Sequence, residues 1–252
     1  MEYKKLESPE FKINTQKYEI TSGMSVECVS SRESRADWCK VELTTQLQEI
    51  VTYEDMEEAT VELGYDNDFD TLISGYCRKK KEDYWKEIII RDDTIRMERT
   101  FIKATFVDCT PQDIVKYVLI QSGITEYVLC DKEYGKRETF IVDKQNGIKT
   151  LLEVNSYWDI DIDFYFINHV FYWGCSPEQK TVYILEEDEN ILSLNKYGDL
   201  WQVETFGVPW IHHSQELEIS HSKFTGTVKV EKTVVKSDER GYTRMYIYFK
   251  GV

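Results

Sequence analysis

Thr110-Pro111-Gln112-Asp113-Ile114-Val115, running on through Leu119 to Ser122-Gly123, is the stretch where the chain changes texture, and the fold is read outward from it. A hydroxyl residue precedes a proline at the first helical position, and an acid follows in the first turn, where the helix dipole favours negative charge. Ile114, Val115, Val118 and Leu119 recur at helical spacing, and Gly123 supplies a stop. This predicts a helix. A shorter one is predicted over Lys149 to Asn155, after Asn146-Gly147.

On either side the pattern shortens to period two. Between 18 and 106, Ser25 to Val29 alternates, Cys39, Val41 and Leu43 share one face, and Ala59, Val61, Leu63 and Tyr65 share another. Ile88 to Ile90 and Ile95 to Met97 flank Asp92-Asp93, which predicts a hairpin. Beyond the helices, Trp158, Ile160, Ile162, Phe164 and Phe166 fall on one side of a predicted strand, Asn168-His169 makes a tight turn, and Val170 to Trp173 returns. Strands resume at Thr181 to Leu185, Leu200 to Thr205, Glu216 to Ser220, Thr225 to Lys232 and Thr243 to Phe249. The order is β, a mixed middle, then β. It predicts two small β-barrels or sandwiches bridged by a module with one or two helices.

Composition narrows the function. With 41% hydrophobic and 13% aromatic residues the 252-residue chain has the apolar surface for a core, and its length suits one large or two compact domains. A net charge of -15 argues against specific nucleic-acid binding or an anionic membrane surface. The N-terminal residues show no apolar leader, and no run approaches membrane-spanning length, so neither secretion nor membrane insertion is expected. Cys28, Cys39, Cys77, Cys109, Cys130 and Cys175 are scattered, without a zinc spacing, and read as reduced core thiols of a cytoplasmic product. The 17 tyrosines and six tryptophans lean toward interfaces.

Few residues invite chemistry. Asp159, Asp161 and Asp163 stand two apart, which on a strand makes a ladder of acids on a solvated face. His212, His213 and His221 lack an acid or thiolate at ligand spacing, and Cys109 and Cys175 have no base beside them in sequence. No phosphate-cradling loop, nucleophile elbow or zinc-protease helix occurs. The expectation is therefore no catalytic, cofactor-binding or metal-binding residue, no cofactor, and no enzyme. Charge is segregated: residues 41 to 77 hold ten acids and no Lys or Arg, and Arg78-Lys79-Lys80-Lys81 follows.

Three stretches together resemble a known family. Ala59-Thr60-Val61-Glu62-Leu63-Gly64-Tyr65 with Leu72-Ile73-Ser74-Gly75-Tyr76 is the first, and Thr110 to Val115 closing at Ser122-Gly123-Ile124 is the second. The third is Gly207-Val208-Pro209-Trp210-Ile211, then Glu216 to Ile219, Gly226 to Lys232 and Gly241 to Ile247. In order and spacing they resemble the baseplate hub family of phage tails, the late-control D proteins, whose relatives include the hub part of type VI secretion spikes. Where that family often carries Pro-Gly-Asp, this chain reads His212-His213-Ser214-Gln215.

The resemblance implies a mainly β (α+β) fold with two small tube-like β-barrel domains, placed at 1–105 and 176–252, joined by a mixed module at 106–175. It implies a homotrimer made in a bacterial cytoplasm and built into the tip of a phage tail or phage-tail-like bacteriocin. There it would join the sixfold tail tube, through the tail tube protein or tube initiator, to the trimeric spike, beside baseplate wedge components. No room for a cell-wall hydrolase is expected after the last strand. Two rival readings are a β-rich carbohydrate-active enzyme or binding module, and a tail tube or tube-initiator protein. The acids of 41 to 77 are expected to line a channel, with Arg78 to Lys81 near its rim.

Overall fold

A computed structural model describes residues 9–66, 68–79 and 87–251, so Lys80, Lys81 and the first eight of the N-terminal residues read for a leader lie outside the described residues. The chain forms two compact units, one from residues 1–91 together with 178–252 and one from Asp92–Pro177. The expected middle module at 106–175 thus begins earlier, and the two flanks fall in one unit.

Among the described residues the flanking unit is a single 13-stranded sheet. Its N-terminal strands are β1 (Glu10–Thr15), β2 (Glu19–Ile20), β3 (Met24–Ser31), β4 (Trp38–Leu43), β5 (Glu58–Tyr65), β6 (Asp68–Arg78) and β7 (Glu87–Arg91), with α1 (Thr45–Ile50) between β4 and β5. They pair in the order β3-β4-β7-β6-β5-β1-β2. Laid flat, seven strands about 4.8 Å apart would separate the outer two by roughly 29 Å. Yet β2 and β3 are joined by Thr21 to Gly23, a link that reaches about 14 Å at full stretch. The sheet therefore curls toward its own start.

The C-terminal strands repeat this geometry. They are β13 (Tyr183–Glu186), β14 (Ile191–Tyr197), β15 (Leu200–Thr205), β16 (Glu216–His221), β17 (Phe224–Ser237) and β18 (Thr243–Lys250). Pairing runs β13-β16-β17-β18-β15-β14, and its two ends are consecutive in the chain. Six strands laid flat span roughly 24 Å, while Glu186 to Ile191 reaches about 18 Å. The two paths fuse where β17 pairs antiparallel with β3, Val235 opposite Cys28 and Ser237 opposite Val26. A bulge between Val230 and Lys232 lets β17 serve β16 with its first half and β3 and β18 with its second. One apolar cluster, including Cys39, Val41, Val61, Leu63, Met245 and Ile247, runs through both flanks.

In the middle unit, α3 (Pro111–Gln121) and α4 (Gly147–Tyr157) accompany the antiparallel ribbon of β8 (Phe101–Cys109) and β10 (Arg137–Asn146). A second, three-stranded sheet contains β9 (Tyr127–Leu129), β11 (Phe164–Ile167) and β12 (Val170–Trp173). The helix cap reads as expected: the Thr110 hydroxyl accepts from the Asp113 backbone N–H at 3.3 Å, while Asp113 Oδ2 accepts from the Thr110 N–H at 2.9 Å. Ile114, Val115, Val118 and Leu119 are buried, and Gly123 takes φ +69° past the helix end. Asn168 and His169 both have positive φ, as a type I′ hairpin turn requires.

Two expectations fail here. Ile95 to Met97 is not a strand but part of α2 (Thr94–Arg99), a helix that precedes the two, α3 and α4, within the expected module. Ile95 and Met97, two apart, imitate strand alternation, yet Asp92 Oδ1 accepts from the Thr94 N–H at 3.1 Å and starts a helix instead of a hairpin turn. The predicted strand from Trp158 also begins late, at Phe164, because Asp159 sits at φ +55° in the turn that ends α4. Its alternation still reports burial: Trp158, Ile160, Phe164 and Phe166 are all buried.

Candidate assembly surface

The seam between the flanks is held by more than its strand ladder. The Tyr65 hydroxyl donates to the Gly207 carbonyl at 2.6 Å, so the first and third stretches that carried the resemblance meet directly. A Cβ at Gly207 would lie 2.8 Å from Thr243 Cγ2 and 3.1 Å from Leu63 Cδ2, which explains a glycine there. The His213 N–H donates to Ser30 Oγ at 3.3 Å, and the Ser214 N–H to the Val230 carbonyl at 2.8 Å. The His212-His213 turn is therefore part of the seam. Burial pushes both imidazoles down, His213 to about 3, with His212, Arg32 and Lys229 adding to it.

Across this seam, β3, β4, β17 and β18 turn their alternate residues outward as a charged, tyrosine-rich face. Lys236 pairs with Glu27 at 2.8 Å, Lys40 lies between Glu42 and Glu87, and Arg244 pairs with Glu204 at 3.4 Å. Arg244 also stacks over Tyr242, 4.0 Å from the ring centre. Glu27, Lys40, Glu42, Lys236, Tyr242 and Arg244 border a shallow groove of about 360 Å³ that Asp238 and Tyr246 also line. Balanced charge, planar aromatic surface and little depth suit contact with another protein surface better than enclosure of a small molecule.

The residues singled out for chemistry are dispersed. Asp159 and Asp161 are exposed in the turn and loop after α4, Asp163 is half-buried, and no ladder of acids forms. His221 meets Glu187 and Ser222, types that together suggest a triad. The Ser222 hydroxyl, however, donates to Glu187 at 2.8 Å, while His221 Nδ1 accepts the Lys223 N–H at 3.0 Å. The imidazole nitrogen nearest the serine is already engaged by backbone, and the group closes the β16–β17 turn. The two Ser222 donors hold Glu187 below the usual carboxylate range. Cys109 is buried and Cys175 half-buried, and burial raises both thiols, the reverse of an activated nucleophile. Among the described residues no three His, Cys, Asp or Glu gather as a metal site would need.

Of the ten acids between 41 and 77, Glu57 is buried and Glu62 half-buried, and the other eight are exposed. Glu57 is a clamp: its carboxylate accepts backbone N–H groups of Gln16 at 2.9 Å and Glu54 at 2.8 Å. Lys79 folds back on the acids of its own chain, its N–H on Asp55 Oδ1 at 2.9 Å and its ammonium 3.8 Å from Glu54. Sequence reading missed the Glu57 clamp and the Tyr65–Gly207 tie. An acid within an alternating apolar run, and a tyrosine on its buried face, were the available signals, since each carries a polar group that needs a partner once buried.

No family model and no curated protein matches the sequence. Solved structures do match in fold. The 43 kDa tail protein of prophage MuSo2 from Shewanella oneidensis superposes with a TM-score of 0.73 at 11% identity, covering 96% of this chain and 97% of that one. A tail protein from Neisseria meningitidis gives 0.69 at 9% identity, covering 97% of each. An Escherichia coli component of the type VI secretion system, described as similar to the T4 bacteriophage tail proteins gp27 and gp5, gives 0.74 at 12% identity, covering 96% of this chain and 77% of that one. The chain has the fold of these tail and secretion-system proteins. Among the described residues no helix is long and apolar enough to cross a membrane.

Proposed function

We propose that this chain is a structural hub of a phage tail or phage-tail-like particle, working as a homotrimer that matches a sixfold tail tube to a trimeric spike. The observation that carries the reading is the pair of strand paths, each curling back to its own start and fused through β3 and β17. Two curled sheets per chain give six in a trimer, so one face repeats six times and every other feature three times. The likeness in fold to tail proteins over nearly the full chain supports it.

In this reading the chain is made in a bacterial cytoplasm and positions other proteins without catalysing a reaction. Its partners are the tail tube protein or tube initiator on one side and the spike on the other, with baseplate wedge components around it. The charged, tyrosine-rich face across the seam offers the polar, planar contact such docking uses. Negative-stain images of the purified oligomer test the proposal. Rings with threefold symmetry and a central hole are expected; a population of single compact particles, unchanged when tail tube and spike proteins are added, overturns it.

A further inference from the structure

We propose that Cys28 and Cys39 form an oxidisable pair that closes into a disulfide across β3 and β4, a covalent clamp on the strand that joins the two flanks. The two residues are register partners in the antiparallel ladder, and their sulfurs lie 2.8 Å apart. Directly opposed residues in such a ladder have Cα atoms about 4.5–5.5 Å apart, inside the roughly 4.4–6.8 Å that a disulfide accepts, so closure needs no backbone rearrangement. The hairpin is held ready at its far end, where Asp37 Oδ1 accepts the Ser31 N–H at 3.0 Å. On its other side β3 carries the seam, with Val235 of β17 opposite Cys28. A bond here ties the N-terminal path to the strand on which the C-terminal path hangs.

The chemistry is thiol–disulfide exchange with a small-molecule disulfide such as oxidised glutathione. One thiolate of the pair attacks a glutathione sulfur and releases the first glutathione thiolate. The second protein thiolate then attacks the protein sulfur of that mixed disulfide and expels the other. The two cysteine thiols lose two protons and two electrons, and the oxidised glutathione takes up both and leaves as two glutathione thiols. Both cysteines are buried, and burial together with the neighbouring Cys28 thiol pushes Cys39 up, so the pair resists oxidation until the hairpin opens locally. This site stands apart from the hub reading, which supplies only an occasion for it, the passage of a particle from a reducing cytoplasm into an oxidising medium.

The test incubates the intact protein with oxidised glutathione, with and without sub-denaturing urea, then alkylates remaining thiols in denaturant and maps the peptides. Cys28 and Cys39 peptides joined with the loss of two hydrogens are expected, formed faster in urea, with the other four cysteines not joined to one another. The unfolding temperature should rise by about 5–10 °C and fall back on reduction. C28S and C39S should show no rise; if either fails to fold, the wild-type map still decides. All six thiols alkylated after oxidation in urea overturns the proposal, as does glutathione retained on Cys28 without closure. A bond that forms without raising the unfolding temperature overturns the clamp. None of these outcomes depends on whether the chain forms a trimer.

Discussion

The two units of this chain are specified in opposite ways. In the middle unit the decisive contacts are local: Thr110 caps the helix that follows it, Asn146 Oδ1 accepts the Lys149 N–H at the start of α4, and Asn168-His169 turns one strand onto the next. In the flanking unit the decisive contact is β3 with β17, whose paired residues Cys28 and Val235 are separated by most of the chain. Local signals start and stop elements on their own. Long-range pairing requires that loop closure be offset by burial after both partners are made, which concentrates stability in the seam. The flanking sheet should therefore behave as one body, whatever its interruption by residues 92–177.

The largest effect is expected at the seam itself. Val235→Asp places an unpaired carboxylate at a position 2% exposed and should cost more than about 4 kcal/mol. Hydrogen exchange should show β3, β4, β17 and β18 losing protection together while α3 and α4 keep theirs. Loss confined to the C-terminal strands would break the one-body account.

Acid should act on the same seam. His213 is neutral when folded, with its pKa pushed down to about 3, whereas an unfolded imidazole protonates near 6.5. The unfolded state thus takes up the proton first, and the contribution is full above about pH 6.5 and lost as pH falls toward 3. Up to about 5 kcal/mol of stability should disappear over that window, and His213→Gln should flatten the slope in urea melts. An unchanged slope would remove His213 from the seam's electrostatics.

A smaller effect belongs to the middle unit. Thr110→Ala removes the cap acceptor and should cost about 1 kcal/mol, read as faster exchange in the first turn of α3. Its two donors also hold Asp113 below the ordinary carboxylate range, a stabilisation present above about pH 4 and lost below it. If the seam strands lost protection equally, the two units would not open independently.

Legibility followed the same division. The α3 cap, the Asn168-His169 turn and the buried faces Cys39-Val41-Leu43 and Ala59-Val61-Leu63 could be read, because caps, turns and alternation are written in neighbouring residues. Alternation says which face is buried but not which strand lies alongside, so the fusion of β3 with β17 was out of reach. Ile95 and Met97 misled because α2 is short and buried beyond a single face, which imitates period two. Among site candidates, His212 and His213 were visible as unusual residues, but their place at the seam depends on Ser30, far away in sequence.

The proposed hub role requires the curled pairs of sheets to assemble in threes. Mass photometry of the purified protein at micromolar concentration, alone and with its spike, tests it most directly. A species of three copies of the 29.9 kDa chain, holding from low to physiological salt, is expected. A protein that stays at the mass of one chain in both samples would contradict it.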